Sequence, residues 1–156
     1  MNRLTCVLPI LLGLVAITTA PVIADSDERS VTGAATGLFA AGAELGAVAL
    51  QGIEMGTGVF IEADGSASGT FYAGLQGSSL GLPREITVEG NVSEGSVAPD
   101  GRATFSGTAS LDLGDGSPPL PNITFSVTVG ADGVVLAIDS TTLPAAGLTA
   151  GAVTIE

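Results

Sequence analysis

From Arg102 to Leu113 apolar and polar residues alternate without a break. Ala103, Phe105, Gly107, Ala109, Leu111 and Leu113 fall on one side, and Arg102, Thr104, Ser106, Thr108, Ser110 and Asp112 on the other. Successive strand side chains face opposite sides of a sheet, so the stretch predicts a long antiparallel strand with one dry and one wet face. The same alternation places strands over Ala67–Leu75, over Glu85–Val92 and over Asn122–Val129, with a last strand at about Thr149–Ile155.

Three Asp-Gly pairs punctuate these runs: Asp64-Gly65, Asp100-Gly101 and Asp132-Gly133. Read as two-residue type I′ turns, which need positive φ at both central positions, they set the pairing of the flanking strands. Asp64-Gly65 then places Ala63 opposite Ser66, Phe60 opposite Gly69 and Gly58 opposite Phe71, each ring lying over a strand glycine. Asp100-Gly101 places Ala98 opposite Ala103 and Ser96 opposite Phe105. Asp132-Gly133 places Val129 opposite Leu136 and Val127 opposite Ile138, apolar against apolar as a shared core face requires.

Val31–Leu50 is rich in Ala and Gly, and Gly33, Gly37, Gly42 and Gly46 give two GxxxG spacings. Such spacing suits helices that pack in membranes. Glu44 lies inside the run, however, and each glycine weakens a helix by about 1 kcal/mol relative to Ala. The segment is read as two strands, about Gly33–Ala40 and Glu44–Gln51, turning at Ala41-Gly42-Ala43, with a short helix at Ala43–Leu50 as the alternative. Loops are expected at Gly77–Pro83, Gly114–Pro121 and Leu143–Gly147, each marked by Gly or Pro. The Asp-Gly units are too irregularly spaced for a repeat architecture. The fold class that follows is all-β: an antiparallel meander of about eight to ten strands closing into a barrel or folding into a sandwich.

The N-terminus reads as a targeting segment. Arg3 supplies the positive region and Leu8–Thr19 an apolar run too short to span a bilayer. Val22-Ile23-Ala24 presents small residues where a signal peptidase cuts, so residues 1–24 are expected to be a cleavable signal. Residues 25–32 follow as a flexible leader and residues 33–156 as a single all-β domain. Cys6 precedes the apolar run, so lipid anchoring at a cleavage-site cysteine is not expected. The product is secreted or periplasmic, and it loses the chain's one cysteine with the signal, so no disulfide staples it.

Cleavage removes Arg3 and no acid, taking the net charge from −12 to −13. Such a domain repels nucleic acid and anionic membrane surfaces. Its acidity favours solubility and a monomer; no specific partner follows from it.

The chain has no His and no Lys, and beyond residue 24 no Cys. Ser-His, Cys-His, Ser-Lys and Schiff-base mechanisms are therefore excluded. Glu85 and Glu89 share the wet face of one strand and read as a solvated row rather than the carboxylate pair of a glycosidase. Asp112-Leu113-Gly114-Asp115-Gly116-Ser117 offers oxygen ligands of the kind calcium favours, but lacks the alternating Asp ladder of an EF-hand. Thr104, Ser106, Thr108 and Ser110 form a hydroxyl row that would suit a carbohydrate or ordered water, and that an ordinary exposed strand would also carry. Asn91-Val92-Ser93 and Asn122-Ile123-Thr124 match the glycosylation sequon. No catalytic or metal-ligating residue and no cofactor is assigned, and the binding residues are left open.

The run Gly58-Val59-Phe60, followed by Ala63-Asp64-Gly65-Ser66-Ala67-Ser68-Gly69-Thr70-Phe71, resembles a hairpin common in small secreted bacterial all-β proteins of unassigned function. The resemblance spans Gly33 to Leu75. It implies an export signal, a strand meander and Asp-Gly turns, and it implies no catalytic residue.

These readings lead to an exported, non-enzymatic β-domain that serves as a structural or interaction module. Two alternatives are a carrier holding a small apolar ligand inside a barrel, and a carboxylate-based hydrolase. An interior filled by Phe60, Phe71, Phe105 and Phe125 would count against the carrier.

Overall fold

The structure, a computed structural model, describes residues 28–156; the expected signal peptide and its cleavage site lie outside them. Ten strands and no helix make up the described chain: β1 (Arg29–Phe39), β2 (Glu44–Leu45), β3 (Val48–Ile61), β4 (Ser66–Ser79), β5 (Leu82–Val97), β6 (Ala103–Asp112), β7 (Leu120–Gly130), β8 (Gly133–Ile138), β9 (Thr141–Thr142) and β10 (Ala146–Ile155). All pairings are antiparallel. Eight strands form a hydrogen-bonded ring in the order β1-β10-β8-β7-β6-β5-β4-β3, which returns to β1 through the β1–β3 pairing. The ring is not a clean barrel, because β10 meets β8 at one residue pair, Ala146 with Val134.

The alternation seen from Arg102 to Leu113 becomes β6. Ala103, Phe105, Ala109 and Leu111 are buried, while Thr104, Ser106, Thr108 and Ser110 take the other face. In β5, Ile86, Val88 and Val92 are buried, and in β7, Phe125, Val127 and Val129.

The expected hairpin registers differ from those observed, the first two for a common reason. At the first Asp-Gly pair, the Glu62 N–H donates to the Ser66 carbonyl at 2.8 Å and the Gly65 N–H to the Glu62 carbonyl at 3.0 Å. The loop is therefore three residues, Ala63-Asp64-Gly65. Of these only Gly65 has positive φ, at 86°, which is a type I turn ended by a left-handed glycine rather than a type I′ turn. The extra loop residue moves the pairing by one, so Val59 lies opposite Gly69, Phe60 opposite Ser68 and Thr57 opposite Phe71. Since a shift of one exchanges the faces, Phe60 points outward and is 51% exposed. The second pair repeats this with Pro99-Asp100-Gly101 as the loop. Val97 faces Ala103 and Gly95 faces Phe105, not Ala98 and Ser96 as expected. At the third pair the loop is Ala131-Asp132, one residue earlier than Asp132-Gly133. Val129 pairs with Val134 and Val127 with Leu136, a shift of two that keeps the apolar face.

Val31–Leu50 contains no helix. β1 begins at Arg29, within the stretch expected as leader, and the expected second strand is interrupted at Gly46-Ala47 into β2 and the start of β3. The expected loop at Gly77–Pro83 is mostly strand, with only Leu80 and Gly81 between β4 and β5. These two have φ of 52° and 78°, the type I′ geometry that was expected of the Asp-Gly pairs. Leu80 is fully exposed, so this turn holds a left-handed leucine without a packing contact to offset it.

Packing inside the ring centres on Phe71, Phe105 and Phe125. Phe71 stacks on Phe125 with ring centroids 5.4 Å apart, and meets Phe105 edge-on at 5.8 Å. Gly90, opposite Phe71, is an inward position of β5 where a Cβ would collide with the Phe125 ring. Gly95 lies opposite Phe105, and Gly107 opposite Phe125. Aromatic rings do lie beside strand glycines, but at these pairs rather than at Phe60–Gly69 and Gly58–Phe71.

Phe71→Ala is expected to lower stability in urea unfolding by about 3–5 kcal/mol, the cost of a large core truncation. Phe60→Ala, on the outer face, should cost under about 1 kcal/mol. Leu80→Asn should raise stability by about 0.5–1 kcal/mol in the same assay, since Asn tolerates the left-handed conformation that leucine resists.

Candidate functional site

Among the described residues every fully buried side chain is apolar; the Thr57 hydroxyl is buried without a hydrogen-bond partner, and the clusters of polar groups lie on the outer face. The hydroxyl row of β6 is extended by β7. Thr104 lies opposite Thr128, Ser106 opposite Ser126 and Thr108 opposite Thr124. The Thr104 and Thr128 hydroxyls are 3.0 Å apart and hydrogen-bonded. On the other side, β5 sets Ser96 beside Thr104, Glu94 beside Ser106, Asn91 beside Thr108 and Glu89 beside Ser110. The result is a polar face spread over three strands.

One end of this face is walled into a cleft. The β5 ladder is irregular around Ser93, and the Gly95 N–H donates to the Gly65 carbonyl at 3.0 Å. That bond holds the β3–β4 hairpin tip against the bulge. The open cleft, of about 530 Å³, is lined by Asp64, Ser66, Glu94, Ser96, Thr104 and Ser106 among others. Sequence reasoning missed Asp64 and Glu94 as neighbours. The bulge that brings them together carries no residue signal, whereas Asp64-Gly65-Ser66 has one: Asp115-Gly116-Ser117 makes the same bonds.

In both units the Asp Oδ1 accepts from the backbone N–H and the hydroxyl of the Ser two residues on. The distances are 2.9 and 2.6 Å at Asp64, and 2.9 and 2.5 Å at Asp115. Asp100 accepts from the Arg102 N–H at 3.1 Å and from its guanidinium at 2.8 and 2.7 Å. Bonds to the ionised form hold all three carboxyls below the ordinary carboxylate range, the Ser66, Arg102 and Ser117 side chains being the leading causes. A carboxylate held this way closes its own turn and is a poor general acid.

The fold keeps Glu85 and Glu89 at separate rungs of the β4–β5 ladder. Glu85 pairs across from Gln76 and Glu89 from Tyr72, four positions apart on one strand. At the strand rise their Cα atoms are about 13 Å apart. Glu85 and the Tyr72 hydroxyl lean over Gly74. Gly56 stays bare beside them, as the edge of a second open groove lined by Thr70, Tyr72, Glu89 and Asn91. In the Asp112–Ser117 loop, Asp112 accepts from the Gly114 N–H at 2.8 Å, and the Arg84 guanidinium donates to the Gly114 carbonyl at 2.6 Å. Among the described residues no three acids gather as metal ligands would. The sequon residues Asn91 and Asn122 are both exposed, the first in mid-sheet and the second at φ 58°. The interior expected of a carrier is occupied by Phe71, Phe105 and Phe125, while Phe60 lies outside.

No protein-family model, no curated protein and no solved structure matches the chain.

Because the three aspartates titrate lower in the folded chain than in the unfolded one, the stability they contribute is complete above the unfolded carboxylate pKa. It is lost as pH falls through their folded values. Urea midpoints should therefore drop below about pH 4. The triple variant Asp64→Asn, Asp100→Asn, Asp115→Asn keeps acceptor oxygens without the charge, and its midpoint should fall less over the same range.

Proposed function

We propose that this chain is an exported, non-enzymatic β-domain, a structural or interaction module that works through its outer surface. The observation that carries the reading is the division of the molecule. The inside is filled by stacked aromatic rings and aliphatic side chains, and the polar groups outside are either spent on closing turns or spread along strands. The surface best suited to a partner is the hydroxyl face of β5, β6 and β7 with its adjoining cleft. An uncharged partner able to exchange hydrogen bonds with hydroxyls fits that chemistry, and polyanions are repelled by the net charge. Support for export comes from the N-terminal sequence pattern.

The test is a hydrolytic survey of the purified chain on glycosides, esters and peptides, with Glu85→Gln, Glu89→Gln and Glu94→Gln as controls, alongside titration with an apolar fluorescent probe. No turnover above a heat-treated control and no saturable probe binding are expected. Turnover abolished by one of the Gln variants would replace this reading with a hydrolase, and saturable one-to-one probe binding would replace it with a carrier.

A further inference from the structure

A groove of about 500 Å³ runs across the strands on the outer face from β3 to β6. Its walls are two successive rungs of outward side chains. One is Tyr72, Glu89 and Ser110, and the other is Thr70 and Asn91. The floor between them is the backbone of inward residues such as Phe71 and Gly90. The β3 end is open, because Gly56, opposite Tyr72, has no atom within 4 Å of where a Cβ would stand. Tyr72 is half-buried and leans the other way, with its hydroxyl 3.2 Å from the Cβ position of Gly74. Its ring is thereby laid along β4 and borders the groove without filling it.

The polar groups of these walls are unspent. Asp64, Asp100, Asp112 and Asp115 are engaged in their turns, and Thr104 with Thr128. Among the described residues no side-chain hydrogen bond involves Tyr72, Glu89, Asn91, Thr70 or Ser110. Glu89 is an acceptor only. The Asn91 amide and the Thr70 and Ser110 hydroxyls both give and accept. A ligand that covers them has to return both kinds of bond, or it strips water from groups left unpaired. An apolar molecule returns neither kind. A cation returns donors only and leaves the Asn91 N–H groups without an acceptor. An anion meets Glu89 and a net charge of −12. A peptide strand docks through free main-chain groups, but here β3, β4, β5 and β6 are paired to one another along the groove. A neutral sugar carries hydroxyls that give and accept, and an aliphatic ring face that suits an aromatic surface.

We propose that this groove binds a neutral oligosaccharide. The chain of sugars lies across the strands, with the C–H face of one ring against Tyr72 and its hydroxyls on Glu89 and Asn91. The inference rests on the reading of the outer surface as the working face, and it names the ligand class and the place.

Tyr72 is the chain's one tyrosine and there is no tryptophan, so tyrosine emission reports on this groove. The chain from Asp25 to Glu156 contains every described strand and is the species to titrate. Maltohexaose, cellohexaose and mannohexaose are the probes, with trigalacturonate as the anionic comparison. At least one neutral sugar should give a saturable one-to-one change, and trigalacturonate none. Gly56→Val builds into open space, so far-ultraviolet dichroism should be retained while binding weakens by about tenfold or more. Asn91→Ala, on the exposed face, should weaken it by about fivefold or more and carries the test if Gly56→Val does not fold. Tyr72→Ala, read by calorimetry, should cost about tenfold, and Thr141→Ala on β9 should change nothing. No saturable change with any of the three sugars would overturn the proposal. So would equal binding of trigalacturonate, displacement of the sugar by tetramethylammonium, or an affinity untouched by Gly56→Val, Asn91→Ala and Tyr72→Ala. Binding lost in Ser106→Ala but kept in Gly56→Val would overturn this site and leave the outer surface as the working face. Hydrolysis of the bound sugar, with binding still lost in Gly56→Val, would uphold the site and overturn the non-enzymatic reading.

Discussion

The Phe125 ring, which stacks on Phe71, fits inside this ring of strands because the strand beside it carries Gly90. Gly90 and Gly95 of β5 and Gly107 of β6 are inward positions, each opposite one of Phe71, Phe105 and Phe125. A methyl at Gly90 would occupy the place of the Phe125 ring. Dense packing of few, large aromatic groups against bare backbone lets a chain with five Phe and no Trp fill its interior. Among the described residues the fully buried side chains are consequently apolar, and the Thr57 hydroxyl is the buried polar atom left without a hydrogen-bond partner.

The wet-and-dry code of β5, β6 and β7 was readable from residue types because one face is buried without interruption. What was not readable was the slip between neighbouring strands. Asp64 and Asp100 each use a side-chain oxygen to cap the N–H two residues on, which stabilises a negative-φ turn residue and leaves only the glycine left-handed. The Asp-Gly pair therefore closes a loop of three, not two, and a single added residue turned Phe60 from core to surface. At Ala131-Asp132 the slip was two, so the faces survived. The left-handed pair that does close a two-residue turn, Leu80-Gly81, carries a leucine where local chemistry would put Asn, and no propensity points to it.

The polar surface followed the same division. The Ser and Thr rungs of β6 lie where alternation puts them, and their continuation on β7 follows from pairing. The cleft beside Glu94 depends on a bulge at Ser93 and on one backbone bond between Gly95 and Gly65. Such an irregularity leaves no mark on periodicity. The aspartates that seemed available to a metal are engaged locally, each with its own Ser or Gly, so nearness in sequence became turn closure instead of a shared site.

The pairing of β1 with β10 has a consequence in time as well as in space. The first and last strands of the described chain are neighbours, joined at their ends by Ser30 and Glu156. A polypeptide synthesised from its N-terminus cannot close this ring until β10 has been made. Until then β1 has β3 on one flank and nothing on the other. Contacts between the two extremes of a chain slow folding and prolong the life of incomplete sheets. Synthesis of the strands and closure of the ring are thus separate events. A chain that still lacks β10 is an unfinished sheet, and the arrival of that strand is the step that closes it.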